Sequence, residues 1–226
     1  MQILLGLGLL LFAYILGSVP FGLLIVKWRT GKDLRVVESG RTGGTNAMRA
    51  AGPSAGLLTA ILDMLKGAVA VWLARAVGAN VWICTLAPIA SVLGHNYSIF
   101  LIERKDGRIR LRGGAGGAPT VGGAFGLWAP SLLIVVPVGF LIWWGIGYAS
   151  LTTISAALIA IIIFAVRAGL GLSPWQYVIF GIVAEFLLIW ALRPNIKRLL
   201  NGTERLHGWR AKRQQTNKGH MPISNK

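Results

Sequence analysis

The chain has very few acidic residues and a single cysteine. Only 7 of its 226 residues are Asp or Glu, against 23 Lys and Arg, and charged residues of all kinds make up 13% of the sequence, compared with about 25% in an average soluble domain. The one cysteine, Cys84, has no partner for an internal disulfide. The shortage of charge argues against a soluble domain, and Cys84, which lies in an apolar stretch, is expected to be a small packing residue.

What the chain has instead is apolar length. Hydrophobic residues make up 54% of the sequence and the mean hydropathy is +0.64, which is typical of a membrane protein. The net charge of +16 is compatible with nucleic-acid binding, but the basic residues cluster in loops between apolar spans. The charge therefore indicates membrane topology, and no nucleic-acid partner is expected.

The first apolar span covers residues 3–26 and holds no charged residue, and about 20 apolar residues are enough to cross a bilayer. A cleaved signal peptide is disfavoured, because its apolar region is shorter, follows a Lys or Arg, and ends at a small-residue cleavage site. This span instead runs through residues 17–22 into Lys27. Further spans are predicted at residues 53–74, 81–102 and 174–192.

The uncharged stretch 113–166 is too long for a single crossing. Its 54 residues would form a helix of roughly 80 Å, whereas the hydrocarbon core of a bilayer is about 30 Å thick. Turn signals at residues 128–130 and 145–150 divide it into three segments. The first of these is short and rich in glycine, and it is expected to cross the membrane as well.

The distribution of basic residues orients these spans. Loop 27–52 carries six Lys or Arg, loop 103–112 carries five and the chain after Leu192 carries nine, which places all three regions in the cytoplasm and leaves Arg75 and Arg167 outside. The prediction is an all-α integral membrane protein with seven transmembrane helices, its N-terminus outside and its C-terminus cytoplasmic.

Two units are expected along the chain. Residues 1–201 are predicted to form a single transmembrane domain. Residues 202–226 are polar and basic, and they are predicted to form a flexible cytoplasmic tail that lies near anionic lipid. No internal repeat is evident, so an inverted-repeat transporter is not suggested.

Three polar segments rich in glycine interrupt the apolar chain, and the predicted topology puts all three at the cytoplasmic face. They are Ser39–Arg49, Gly94–Asn96 and Gly113–Ala118. Glycine lets backbone N–H groups approach an oxyanion closely, and arginine adds a planar fork suited to bidentate phosphate contact. The three segments are therefore expected to form the walls of one phosphate-binding site.

The first segment combines a hydroxyl, turn-forming glycines and a cation. Ser39, Thr45, Asn46 and Arg49 are interpreted together as functional residues. For Arg41, a purely topological role is as plausible as a functional one. The loop therefore supplies both hydrogen-bonding groups and charge.

The second segment holds His95, the only histidine in an apolar stretch, and titratable groups at membrane depth are functional candidates by default. The third segment resembles an anion-binding turn at a helix N-terminus, although close helix packing through small residues competes with that interpretation. Asp63 and Lys66 lie three residues apart on one helical face and are interpreted either as a structural pair or as a pair that supports the site residues from behind. The role of Glu185 is left open.

The chain resembles the bacterial acyl-phosphate:glycerol-3-phosphate acyltransferases, the PlsY family, over residues 3–204. The matching motifs are residues 17–22, 39–49, 63–67, 91–95, 148–151 and 193–202, followed by Glu204. The resemblance implies transfer of a fatty acyl group from acyl phosphate to glycerol 3-phosphate, giving lysophosphatidate and phosphate in bacterial phospholipid synthesis. It implies no cofactor and no metal, membrane lipid as a partner, and a multi-pass protein of the bacterial inner membrane whose active site faces the cytoplasm.

The resemblance also implies roles for individual residues. Ser39, Asn46 and His95 are expected to position and deprotonate the glycerol hydroxyl, directly or with help from the substrate phosphate. Arg49 and the amides of the third segment would hold phosphate and stabilise charge in the transition state. The expected phosphate-binding residues are Thr45, Arg49, Arg112, Gly113, Gly114, Gly116, Gly117, Arg193 and Asn195. Whether Ser39 is a nucleophile or a hydrogen-bonding group stays open.

The chain departs from the family pattern at the expected site. Ala115 stands where the family has a lysine, Pro119 where it has a threonine, and Leu192 where it has a histidine. Arg41 replaces an asparagine, and loop 103–112 is longer and more basic than the usual connection. Arg41 and this loop are expected to restore the missing positive charge.

The sequence leaves two alternatives to an active enzyme. A weakly active or non-catalytic paralogue that binds acyl phosphate or lipid is favoured by the substitutions at Ala115 and Leu192. A phosphate or small-solute transporter is disfavoured, because the polar groups gather at one face and not at the midplane between repeats.

Overall fold

The computed structural model describes residues 2–105, 107–211 and 213. Two short 3₁₀ turns occur at Leu34–Val36 and Ala129–Ser131. The helices and strands of the described residues are α1 (Gln2–Ser18), α2 (Phe21–Thr30), α3 (Gly44–Ala51), α4 (Pro53–Ala76), α5 (Val81–Asn96), β1 (Ile102–Lys105), β2 (Arg108–Leu111), α6 (Gly117–Leu127), α7 (Leu132–Gly145), α8 (Ala149–Gly169) and α9 (Gln176–Leu200).

Four of the helical stretches are long and apolar enough to cross a bilayer. They cover Gln2–Thr30, Pro53–Ala76, Ala149–Gly169 and Gln176–Leu200, and shorter apolar helices lie at Val81–Asn96 and Ala129–Gly145. Large apolar side chains on these helices are exposed, such as Ile3, which is 80% exposed, and Leu133, which is 77% exposed. Such surfaces suit lipid and not water, and the predicted class of helical, multi-pass integral membrane protein is confirmed.

The predicted first span is not one uninterrupted helix. Pro20 carries no backbone N–H and disfavours helical geometry at the residue before it, and α1 and α2 are separated at this point. The break leaves carbonyls without helical partners. Lys66 on α4 donates to Gly17 O at 3.2 Å and also to Val19 O. Its charge is balanced by Asp63 at 2.6 Å, so the predicted pairing is confirmed, and the pair stabilises the break between α1 and α2.

Glycines bring the helices into close contact. A Cβ on Gly122 of α6 would overlap the carbonyl of Met64 on α4, and one on Gly67 of α4 would overlap Pro119 O. In the same way, Gly17 of α1 lies against Ser91 O of α5. Because lipid tails provide no hydrophobic drive for helix association, such close backbone approach is a main source of attraction between membrane helices.

The main apolar core lies between α5, α6, α8 and α9. Phe164, Phe180 and Leu188 are fully buried there, and the ring of Phe164 makes edge contacts with Tyr177 and Phe180. Rings in this arrangement stabilise each other beyond the burial of their area. The predicted division of residues 113–166 into three segments is confirmed by α6, α7 and α8.

Two predicted span ends are wrong. The span predicted at 81–102 ends as a helix at Asn96, because Tyr97 leaves the helical conformation and Ser98 N donates to Arg112 O at 3.0 Å. The last helix continues past Leu192 to Leu200, with Pro194 inside it. Polar residues thus extend the helix beyond the stretch that hydropathy identifies.

The connection predicted as a basic loop at 103–112 contains a small antiparallel hairpin. Strands β1 and β2 pair with Ile102 opposite Leu111 and Arg104 opposite Ile109. Within the residues that the structure describes, this ribbon is the one departure from the predicted all-α fold. Arg112, directly after it, pairs with Glu103 at 3.0 Å.

Candidate active site

The three glycine-rich segments meet at one end of the helix bundle, called the site end below. Thr42 N donates to Gly113 O at 3.4 Å, which joins the first segment to the third, and Gly114 N donates to His95 O at 2.9 Å, which joins the third to the second. A Cβ on Gly116 would come within 2.7 Å of Asn96 Oδ1. Stretches far apart in the sequence thus form one continuous backbone cluster.

The opposite end of the bundle carries the two isolated arginines. Arg75 donates to Gly126 O at 2.9 Å and to Leu127 O at 2.7 Å, at the C-terminal end of α6. The guanidinium of Arg167 lies over the ring of Trp128, 4.0 Å from its centroid. The short helix α6 therefore runs from the site end to the end where both arginines lie.

The loop that carries Ser39 has an unusual backbone. Glu38 adopts φ 45° and Gly40 adopts φ 65°, a conformation that favours glycine. A Cβ on Gly40 would also lie 2.5 Å from Arg112 Nη2. The turn thereby leaves Ser39 exposed and brings Arg112 against the loop.

Asn46 holds this loop in place. Its buried Nδ2 donates to Arg41 O at 2.8 Å, Val37 O at 3.0 Å and Leu34 O at 3.3 Å. Within the described residues its Oδ1 has no hydrogen-bond partner. Because the donor side is occupied by backbone carbonyls, Asn46 can offer a ligand only its acceptor oxygen.

His95 is 5% exposed, and both of its ring nitrogens face protein. Nδ1 lies 3.6 Å from Asp63 Oδ1, and Gly114 packs so tightly against Nε2 that a Cβ there would overlap the ring. His95 is thus built into the wall of the site end, between α4 and the third segment.

The glycines of the third segment are each explained by close packing. Gly113 and Gly114 lie against residues 95–96, and Gly117 lies against Thr153 of α8. Gly116 has φ 90° and precedes the first turn of α6. The amides at this helix start are suited to an anion by their direction, and their use in binding stays a prediction.

Arg49 is the half-buried cation of the site end. Its Nη2 lies 2.7 Å from His207 Nε2, and its buried Nε has no hydrogen-bond partner in the part of the chain that the structure describes. Burial, followed by repulsion from Arg205, lowers the pKa of Arg49. The guanidinium therefore carries an N–H that is ready for an anionic oxygen, and Thr45 lies one turn earlier on α3.

Arg41 enters the same region from the first segment. Its guanidinium donates to Ala191 O on α9, and burial, followed by repulsion from Arg198, lowers its pKa. Arg41 thus adds positive charge close to α9, beside the position where Leu192 stands.

Arg193 and Asn195, two predicted phosphate-binding residues, make their contacts with α9 and with Glu204 and not with the three segments. Arg193 is exposed, stacks on Trp190 with its guanidinium carbon 3.4 Å from the ring centroid, and donates to Trp190 O at 2.9 Å. These are contacts with its own helix. Asn195 donates to Glu204 Oε1 at 3.2 Å, and its buried Oδ1 has no partner within the described residues.

Sequence reasoning missed the residues that follow α9. Glu204 accepts from Ser150 Oγ at 2.7 Å, Arg205 pairs with Glu38 at 2.6 Å, and His207 N donates to Gly147 O at 2.7 Å. Residues 203–208, called the C-terminal strap, therefore pack on the site end, although the flexible tail was predicted to begin at 202. The match of Glu204 to the family pattern was the one signal available. Residues 214–226 of the predicted tail lie outside the described residues.

A cavity of about 420 Å³ opens beside the strap. It is lined by Tyr148, Gly202, Glu204, Arg205, Leu206, Arg210 and Ala211. The lining is mostly polar, and it includes the carboxylate that accepts from Ser150.

The fold and this end cluster define a class: a multi-pass helical membrane protein in which buried arginines and glycine turns meet at one end of the bundle. The sequence model described as glycerol-3-phosphate acyltransferase matches residues 7–202. The chain belongs to the glycerol-3-phosphate acyltransferase family, and the resemblance stated from the motifs is confirmed.

Relatives in this family are similar along nearly their whole length. Glycerol-3-phosphate acyltransferase of Rubrobacter xylanophilus is 39% identical over 206 residues, with 90% of this chain and 96% of the relative covered. The enzyme of Aquifex aeolicus is 39% identical, with 88% and 97% covered.

Two solved structures share the fold. One is PlsY (YgiH), described as an integral membrane glycerol 3-phosphate acyltransferase in its glycerol 3-phosphate form, with a TM-score of 0.76, 37% identity, and 90% of this chain and 96% of that chain covered. The other is the lysophosphatidic acid form, with a TM-score of 0.75, 35% identity, and 90% and 95% covered.

Proposed function

We propose that this protein transfers a fatty acyl group from acyl phosphate to sn-glycerol 3-phosphate, giving lysophosphatidate and inorganic phosphate. The observation that carries the proposal is the junction of the three segments at one end of the bundle, where the first segment also provides Arg49, whose Nε is buried without a partner among the described residues. The family and the solved relatives, named for glycerol 3-phosphate and lysophosphatidic acid, support the acceptor and the product. The choice of acyl phosphate as donor is supported by a site built for phosphate.

Phosphate binding in this proposal depends on guanidinium groups and backbone amides. Arg49 offers its free N–H, with Thr45 nearby, and the turn before α6 consists of Gly113, Gly114, Gly116 and Gly117. Gly114 shapes this turn without offering its amide, because its N–H donates to His95 O. Charge-assisted hydrogen bonds of this kind are stronger than neutral ones. Arg193 is not given a binding role here, because its guanidinium is stacked on Trp190.

Additional charge comes from arginines that the family pattern does not require. Arg41 reaches α9, and Arg112 lies against Gly40. Both stand near the positions where the chain lacks a lysine and a histidine, at Ala115 and Leu192. We assign to these two arginines the compensation of the missing charge. Asn195 is not given a phosphate-binding role, because its donor group is bound to Glu204 and its free Oδ1 is an acceptor, as phosphate oxygens are.

The chemical step joins the acceptor hydroxyl to the acyl carbonyl. The oxygen of glycerol 3-phosphate forms a bond to the carbonyl carbon, the bond from that carbon to the phosphate oxygen breaks, and phosphate leaves while the hydroxyl proton is taken up by a base. Ser39, which is exposed at the turn, orients the hydroxyl. Cations at the phosphate stabilise the charge that develops on the leaving group.

The geometry favours positioning roles for the other two predicted catalytic residues. His95 faces Asp63 and Gly114 with its two nitrogens, and Asn46 uses its donors on the loop that carries Ser39. We therefore propose that the substrate phosphate takes up the hydroxyl proton. This is the phosphate-assisted route that the family resemblance also allows. Holding the acceptor hydroxyl and the acyl carbonyl in the correct relative position supplies much of the rate enhancement.

We further propose seven membrane crossings with the N-terminus outside and the C-terminus in the cytoplasm. The crossings are α1 with α2, α4, α5, α6, α7, α8 and α9. Arg75 and Arg167 lie together at the far end of α6, and the basic regions 27–52 and 103–112 lie at the site end, in agreement with the positive-inside rule. The active site then faces the cytoplasm from the bacterial inner membrane.

A binding protein without turnover is the second candidate. It is favoured by Ala115 and Leu192, which remove two charged or titratable groups from the family pattern. In that case acyl phosphate or lipid would bind at the same site end without transfer.

The deciding experiment uses the purified protein in lipid nanodiscs with acyl phosphate and radiolabelled glycerol 3-phosphate. Formation of labelled lysophosphatidate with release of one phosphate per product supports the enzyme. Acyl-CoA and acyl carrier protein serve as alternative donors, and Arg193→Ala is the matched control for Arg49→Ala. Binding of acyl phosphate without any product would overturn the enzyme and support the binding protein.

A further inference from the structure

Apart from Glu204, the C-terminal strap lies beyond the family pattern recognised in the sequence. The family match ends at residue 202, yet the strap is attached to three different parts of the fold. Glu204 accepts from Ser150 on α8, Arg205 pairs with Glu38 in the first segment, and His207 N donates to Gly147 O before α8. A segment anchored in this way places its side chains reproducibly.

His207 is the strap residue that touches the phosphate-binding machinery. Its Nε2 lies 2.7 Å from Arg49 Nη2, and its ring lies 6.1 Å from the ring of Trp143, centroid to centroid. Arginine has only donors, so Nε2 must be the acceptor and the imidazole in this contact is neutral. Nη2 of Arg49 is thereby held, while its Nε stays free of partners among the described residues.

The backbone around His207 fixes the ring. Gly147 has φ 85°, and a Cβ on it would lie 2.8 Å from His207 O, so the strap and the turn between α7 and α8 are in close contact. A guanidinium binds a carboxylate or a phosphate most specifically through two parallel N–H groups on one of its edges. Holding one nitrogen by a fixed acceptor limits the directions in which that edge can point.

We propose that His207 is a positioning residue for substrate phosphate: it orients the guanidinium of Arg49 so that the free N–H faces the bound anion. The proposal rests on the proposed function for the identity of that anion. His207 is thus a second histidine at the site end besides His95, although Leu192 occupies the position at which the family has one.

The charged groups around His207 make the contact sensitive to pH. Arg49 faces the ring from α3, and Arg205 and Glu204 face it from the strap. Glu38 and Arg198 lie around Arg49. Burial, then Arg49 and Arg205, lower the pKa of His207. Above the lowered pKa the neutral ring accepts from Arg49, and below it the protonated ring loses its acceptor and repels the guanidinium.

The first test compares His207→Ala with His207→Gln. The alanine variant is expected to raise KM for the substrate that Arg49 binds by about tenfold, with kcat changed less, because the cation is no longer oriented. Glutamine supplies an acceptor oxygen, so His207→Gln is expected to recover most of the loss and to lack the acidic decline of kcat/KM seen with histidine. Trp209→Ala, an exposed neighbour, is the control.

The second test is a double-mutant cycle with Arg49→Ala. If His207 acts through Arg49, its replacement has little further effect once Arg49 is absent. Full additivity of the two losses, or an alanine variant with unchanged KM and an unchanged pH profile, would overturn the inference.

A binding measurement separates this inference from the proposed function. Calorimetry with inorganic phosphate and with glycerol 3-phosphate needs no turnover. If the wild-type protein binds these ligands, His207→Ala binds them about tenfold more weakly, and neither protein forms lysophosphatidate, the inference about His207 stands and only the proposed enzyme activity is overturned. Equal binding by both proteins would overturn the inference even if the enzyme is active.

Discussion

The interface between α4 and α6 and the cluster at the site end use glycine for different purposes. Between the helices, Gly67 and Gly122 let two backbones touch, and a side chain there has no room. At the site end, Gly40 and Gly116 take left-handed conformations that turn the chain back on itself. The side chain of Arg112 lies against Gly40, and that of Asn96 lies against Gly116. The comparison shows that a glycine-rich motif in a membrane protein can hold the scaffold together, shape a turn, or do both within a few residues.

The largest effect is expected in the packing region. Gly122→Leu would force α4 and α6 apart, since even a Cβ overlaps Met64 O, and overpacking of this kind costs about 3 kcal/mol or more. We expect loss of folded protein, measured as the detergent-extracted monodisperse yield and the thermal unfolding temperature. Gly8→Leu is the control, because nothing lies within 4 Å of a Cβ on Gly8. Normal yield of Gly122→Leu would contradict the role given to this interface.

The next effect is expected at the site end without loss of fold. Arg49→Lys keeps the charge and removes the planar fork, and a lost charge-assisted contact costs about 1.5 to 3 kcal/mol, roughly one to two orders of magnitude in kcat/KM if it acts in the transition state. Steady-state kinetics measures it, with the unfolding temperature as a check on stability. A variant as active as the wild type would show that a point charge is sufficient.

A smaller effect is expected at Ala115, where the substitution should raise activity instead of lowering it. Ala115→Lys restores the family lysine in the turn before α6 and is expected to raise kcat/KM by about tenfold or less, since one further cation is added where several already act. The measurement is the same initial-rate assay over a range of acyl phosphate concentrations. No change would indicate that Arg41 and Arg112 already compensate, and a fall would count against the alignment of Ala115 with the lysine.

The smallest effect is expected for the predicted site residue that the structure places on its own helix. Arg193→Ala removes a stacking contact with Trp190, and exposed contacts of this kind contribute about 0.5 to 1 kcal/mol to stability. We expect kcat/KM to change less than about twofold. A tenfold loss of kcat/KM in the nanodisc assay would show that Arg193 contributes to substrate binding after all.

The sequence was sufficient for features that depend on local composition. Apolar length predicts the helices, and the turn signals at 128–130 and 145–150 predict where the uncharged stretch divides. The basic loops also predicted correctly that residues near Ser39, His95 and Gly114 share one end of the bundle, because sidedness follows from charge.

Features that depend on contacts between distant residues could not be read in this way. The sequence pattern does not show that Nδ2 of Asn46 donates to backbone carbonyls, nor that the guanidinium of Arg193 stacks on Trp190. The strap was missed for the same reason: residues 203–208 are polar, like a mobile tail, and they are held in place by distant partners that include Glu38, Arg49, Gly147 and Ser150.

The interruption at Pro20 has a consequence for the order of assembly. The first helices leave the ribosome before α4, so the carbonyls of Gly17 and Val19 at first lack the ammonium group of Lys66 that later binds them. A carbonyl left without a donor inside lipid costs several kcal/mol. Val19 O also accepts from Phe21 N at 3.1 Å, so the Gly17 carbonyl is the one that depends on α4, and the N-terminal span reaches its final shape only once this next long span lies beside it.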